Sequence, residues 1–141
     1  MSDYFLARAV HVAAIVLWIG GVAFVTMVML PAVGRFADAG EGIALFERIE
    51  SGFARQARVT TLLAGLSGFY LAHRLDAWGR FADPGFWWMH AMVAVWAVFT
   101  LMLFVLEPVW LHRWFRQRAA RDPQGTLRLV RRLHWLLLTA S

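Results

Sequence analysis

Twenty-one consecutive residues, Val10 to Leu30, contain no charged side chain. A helix needs ~20 mostly apolar residues to cross the ~30 Å hydrocarbon core of a bilayer. Further apolar runs follow, and the spacing predicts spans at about 4–30, 59–75, 86–112 and 126–141. Composition points the same way: 60% of the 141 residues are apolar, with eight Trp and eleven Phe, and the mean hydropathy is +0.57. That is more apolar surface than a soluble 16.0 kDa domain buries. The fold class expected is therefore all-α, an integral membrane four-helix bundle in one domain over residues 1–141.

Between the first two spans, Ile43, Phe46, Ile49 and Phe53 recur at helical spacing among Glu41, Glu47, Arg48 and Glu50. This reads as a short amphipathic helix on the membrane surface, or as an extension of the second span. Pro31 stops the first span, and Pro108 is expected to kink the third near its far end. Asp122-Pro123 is read as the end of a basic loop, with the fourth helix starting near Thr126. The apolar part of that helix, Leu133 to Ala140, is about half of what crossing requires, so continuation past Ser141 is expected. The first run lacks a short core and a small-residue cleavage site, and reads as a retained helix rather than a signal peptide.

All fourteen basic residues are Arg. Their position beside the apolar runs assigns them to topology rather than to nucleic acid. Eleven fall in the loops of one side and only Arg8, Arg74 and Arg80 on the other, which places the N terminus on the periplasmic side of a bacterial-type inner membrane.

With no Cys in the chain, thiolate haem ligation, iron–sulfur clusters and disulfides are excluded, and any metal chemistry rests on His, Met and carboxylates. Ionisable groups at membrane depth are costly and usually functional. His11, His73 and His90 fall within about two helical turns of one another in depth, near the outer face. Small residues flank two of them, Ala14 beside His11 and Ala94 and Ala97 beside His90, leaving room for a flat macrocycle between helices. Arg8, one turn before His11, would pair with a haem propionate. His11 and His90 are the expected axial ligands of haem b, with His73 in reserve; an interfacial anchor is the competing reading of each, and the stronger one for His73. His112 and His134, at the opposite end, are weaker candidates for a second haem. Met89 and Met92 beside His90 offer thioethers, which with imidazole make a ligand set for Cu(I), so copper is the alternative cofactor. Glu107 is read as a salt-bridge partner of a loop arginine or a proton carrier. No HExxH signature, phosphate loop or nucleophile–base pair is present.

Arg8-Ala-Val-His11, Leu17-Trp18-Ile-Gly20-Gly21 and Leu30-Pro31-Ala32 resemble the first helix of CopD-like membrane proteins. Glu107-Pro108 with Leu111-His112-Arg113-Trp114, and Arg132-Leu133-His134, look like small members of that grouping. The four-span layout also resembles the HemJ family of haem-associated protoporphyrinogen oxidases, with His11 and Trp88-Met89-His90 at the matching positions. The chain departs from both patterns. Ala91-Met92 stands where HemJ-like sequences carry a lysine, Leu30-Pro31-Ala32 stands where they carry Pro-Arg, and no Met/His-rich loop of CopD type is present. The expectation is a haem b protein for electron transfer, then a copper-handling protein, then a HemJ-like oxidase. Its surroundings are the lipid bilayer and a quinone or redox partner protein, homo-oligomerisation is left open, and no nucleic acid is expected.

Overall fold

The computed structural model describes residues 2–35 and 38–141, apart from the side chains of residues 2, 39, 109 and 112. Among the described residues the chain is helical with no strand, and six α-helices carry it. Helix α1 (Ser2–Phe24) begins with Asp3 in its first turn, where a carboxylate favours the positive end of the helix. It runs through π-helical turns at Val25–Met29 into α2 (Leu30–Val33).

Helix α3 (Ala39–Arg74) starts at Asp38, whose side chain accepts from the Gly40 N–H at 2.8 Å. It is continuous for 36 residues, so the amphipathic stretch extends the helix that follows it, the second of the two expected readings, and is not a separate short helix. No proline interrupts it, and Ile43 and Phe46 of its apolar stripe are buried while Ile49 stays exposed. Phe46 is buried with Val25, Met29, Leu30, Val33 and Val130. Helix α3 runs antiparallel to α1 along most of its length, with Phe53 over Gly21 and Ala64 beside His11.

Asp76 turns the chain in the left-handed conformation, at φ 49°, a region that Asp tolerates better than most residues. Short 3₁₀ turns at Ala77–Ala82 and Pro84–Phe86 lead into α4 (Trp87–Leu101). Ten π-helical residues, Met102–Leu111, then connect it without a break to α5 (His112–Arg121). The segment expected as a basic loop is thus largely helix. Helix α6 (Pro123–Ala140) begins three residues earlier than expected, because Asp122 caps it through the Gly125 N–H at 2.9 Å and Pro123 occupies its first turn.

The two π segments share a cause. Each contains a proline or lies within two residues of one, Pro108 or Pro31, which has no N–H to give. A π turn pairs an N–H with the carbonyl five residues back. At Pro108 that carbonyl belongs to Leu103. Arg58 of α3 supplies the missing donor, its Nε–H reaching the Leu103 oxygen at 3.1 Å while a second guanidinium nitrogen lies 3.3 Å from Glu107.

The core has two parts. One surrounds Phe46, and the other gathers Ala14, Trp18, Val22, Ala64 and Phe99, with Trp18 edge-on to Phe99 and Leu137 and Leu138 of α6 packed against them. Two stretches, Asp3–Val33 and Pro84–Pro108, are long and apolar enough to cross a membrane; among the described residues no other helix is. The expected spans at 59–75 and 126–141 fall in α3 and α6, where Arg58 and Arg74 bound one uncharged run and Arg132 precedes the other.

Candidate functional site: an apolar cavity with one oriented histidine

At the end of α6, helices α1, α3 and α4 line an open-sided cavity of about 590 Å³. Its wall is mostly apolar and aromatic: Trp18, Phe69, Phe81, Trp88 and Trp96 take part. Two glycines of α3 make the space. Gly65 receives the Trp96 indole, since a Cβ there would lie 2.5 Å from the ring, and the indole N–H donates to the Thr61 carbonyl at 2.9 Å. Gly68 receives the imidazole of His11, whose Cε1 would lie 2.9 Å from a Cβ at that position.

The hydrogen bonds of His11 determine its tautomer. Nδ1 lies 2.9 Å from the Ala64 carbonyl oxygen and 3.0 Å from Ser67 Oγ. A carbonyl only accepts, and the Ser67 hydroxyl is turned to the carbonyl of Leu63, so its oxygen is also an acceptor toward the ring. Nδ1 therefore carries a proton, and in the neutral ring Nε2 keeps its lone pair. Donation of one ring N–H to a backbone carbonyl is the support that metal-ligating imidazoles usually have.

The other candidates are placed differently. His90 is exposed, absent from the cavity wall, and held through Nε2 to the Phe81 carbonyl at 2.9 Å with its ring edge-on to Phe81. The cavity thus holds His11 without His90. His73 and Arg8 are both exposed and neither lines the cavity. His134 sits at the other end, bonded through Nδ1 to the Val130 carbonyl at 3.0 Å and packed edge-on to Phe46. The His112 side chain lies outside the described residues.

Sequence reasoning missed several of the cavity's members. Arg80 lines it in place of Arg8, carried there by the 3₁₀ turn after Asp76. Trp18 lines it with an Nε1–H that has no acceptor among the described residues, and Met89 and Met92, which the sequence marks, line it together with His11. Helical periodicity puts Met89 and Met92 on one face with Trp96, but only the tertiary structure brings that face and His11 to one cavity. No group of three or more His, Asp or Glu suited to a metal ion is found among the described residues.

Charge concentrates at the opposite end of α3. The Arg58–Glu107 pair lies there, and half-buried Glu50 has its pKa raised to about 7 by burial, then by Glu107 and Glu47. The folded chain thus holds a proton that the unfolded chain, with an ordinary value of 4.5, releases. The fold accordingly gains stability as pH falls through about 7 and carries the full burden above it. Glu50→Gln should raise the melting temperature at pH 8 and change it little at pH 5. Equal effects at both values would remove Glu50 as the titrating group.

No protein-family model, curated protein or solved structure matches the chain. The likenesses to CopD-like and HemJ-type proteins are carried by the quoted residues alone.

Proposed function

We propose that this chain is an integral membrane protein that binds haem b and serves electron transfer, with its N terminus on the periplasmic side of the inner membrane. The observation that carries the reading is His11: an imidazole with Nδ1 anchored and Nε2 free, on the wall of a cavity of about 590 Å³. That volume lies within the ~300–1,000 Å³ of small-molecule and cofactor sites. His11 would hold the iron, and Arg80 would meet the propionates with a charge-assisted pair. Trp18 offers a further donor from the wall. When bound, haem supplies one-electron chemistry; the protein's part is ligation, burial and exclusion of water. A quinone or a redox protein is the natural exchange partner for a carrier at this position.

The membrane setting is supported by the two long apolar helices and by large apolar side chains exposed on them and on α3 and α6, among them Val16 at 63%, Leu66 of α3 at 69% and Leu136 of α6 at 65%. In water such a surface would drive aggregation; in lipid it costs nothing. Four crossings, with α3 and α6 completing the bundle, are part of the proposal.

One observation favours copper as a second reading: His11, Met89 and Met92 share the cavity wall, and imidazole with thioethers suits Cu(I). Size argues for haem, because a single ion would leave most of the cavity empty. The HemJ-like reading, oxidation of a porphyrinogen, would use the same cavity for a substrate. The deciding experiment is the visible spectrum of the detergent-purified chain, oxidised and dithionite-reduced, with metal analysis. A Soret band and stoichiometric iron are expected. Stoichiometric copper without a Soret band, after expression in haem-replete cells, would replace the main reading by the second.

A further inference from the structure

Residues 113–132 carry seven arginines and a single acid, Asp122. Its carboxylate accepts from the Gly125 N–H at the start of α6. Among the described residues none of the seven arginines forms an ion pair. The turn between α5 and α6 folds three of them around one cleft of about 240 Å³: Arg118 from α5, and Arg128 and Arg132 one turn apart on α6, with Gly125, Leu129 and Asp122 completing it. Guanidinium groups stay charged at any pH the protein meets. Three around one cleft against one capped carboxylate leave an uncompensated positive field that an anion with several oxygens would relieve. Their planar forks match phosphate better than a point charge does.

A second observation places this cleft relative to the membrane. Arg118 lies 5.5 Å over the ring of Trp114, and Trp110, one turn earlier and 64% exposed, follows the exposed apolar residues Phe104, Val105 and Leu106. Trp at the end of an apolar helix marks the headgroup level of a bilayer. The adjoining cleft, lined by Trp114, Gln117, Arg118, Arg121 and Asp122, shares Arg118 and joins the basic site to that aromatic edge.

We infer that the α5–α6 cleft binds the phosphate of an anionic phospholipid headgroup through Arg118, Arg128 and Arg132. The inference rests on the reading that residues 84–108 cross the membrane, and is independent of the haem. A lipid is favoured over a free anion because the cleft opens beside the apolar surface of the spanning helix. Clusters of arginine just beyond a membrane span attract anionic lipids electrostatically.

The test uses the full chain in a non-ionic detergent, with thermal unfolding followed as phosphatidylglycerol, phosphatidylcholine or inorganic phosphate is added. Phosphatidylglycerol should raise the melting temperature in a saturable way while the other two have little effect, because a ligand stabilises the state that binds it. The variant R118Q/R128Q/R132Q should bind phosphatidylglycerol about tenfold more weakly or worse. R48Q/R55Q, on α3, should keep the full response. Equal responses to the two lipids, the full effect from inorganic phosphate alone, or an undiminished response in the triple variant would each overturn the inference. Should the triple variant not fold, the single change R132Q, at an exposed helical position, carries the same comparison. Carbonate extraction from membranes reports separately whether the chain is integral, so a failure of that reading is distinguishable.

Discussion

Replacement of His11 by Ala is expected to abolish the Soret band of the purified protein, whereas His90→Ala should leave it in place. His11 has one ring nitrogen anchored by Ala64 and Ser67 and the other free at the cavity wall; His90 commits its Nε2 to the Phe81 carbonyl outside that wall. Gly68→Ala tests the same arrangement without touching the ligand. The added Cβ would lie 2.9 Å from His11 Cε1, closer than real contacts allow, so the ring must leave its place beside Ala64. Haem affinity should fall sharply in that variant although every donor atom remains. Reduced and oxidised spectra of the three variants, with haem content per chain, check the outcome. A lost band in His90→Ala together with a retained one in His11→Ala would move the ligand role to α4.

The second large effect is expected at Arg58. Arg58→Met removes the donor to the Leu103 carbonyl, whose residue is 7% exposed, and leaves Glu107 without its partner. A buried polar group left unsatisfied costs ~1–3 kcal/mol, and stranding one member of a buried ion pair costs ~3–5 kcal/mol. Both partners here keep partial solvent contact, at 32% and 26%, so a loss of about 2–3 kcal/mol is expected. The double change R58M/P108A should recover part of it, because alanine in place of Pro108 restores the backbone N–H that proline lacks. Unfolding of the four proteins in a double-mutant cycle, titrated with a denaturing detergent, gives the coupling. Strict additivity would show that Arg58 does not stand in for the missing donor.

Glu107 illustrates how far residues alone carry such an argument. Its sequence neighbourhood suggested a salt bridge to a loop arginine. The salt bridge forms, and its arginine is Arg58, forty-nine positions earlier, which the structure places on α3 beside the π segment. The expected kink at Pro108 has become ten residues of wider helix, since a wider turn eases the clash of the proline ring with the carbonyl four residues back. Likewise, the amphipathic pattern of residues 43–53 was legible as a helix. Its apolar stripe, however, is the same whether it lies on lipid or on α1.

What the sequence by itself determined is the helical class, the two long apolar helices and the positions of His11, Met89 and Met92, because each depends on composition and on local periodicity. The tertiary structure decided which of these meet. Helical period states the face on which a side chain lies but not the rotation of one helix against another. Gly65 and Gly68 set that rotation by admitting the rings of Trp96 and His11 at distances no other residue permits. The turn at Asp76 brings Arg80 to the wall that Arg8 was expected to serve, and a carbonyl bond turns His90 away from it. These are long-range contacts between residues distant in the chain, and no local pattern encodes them.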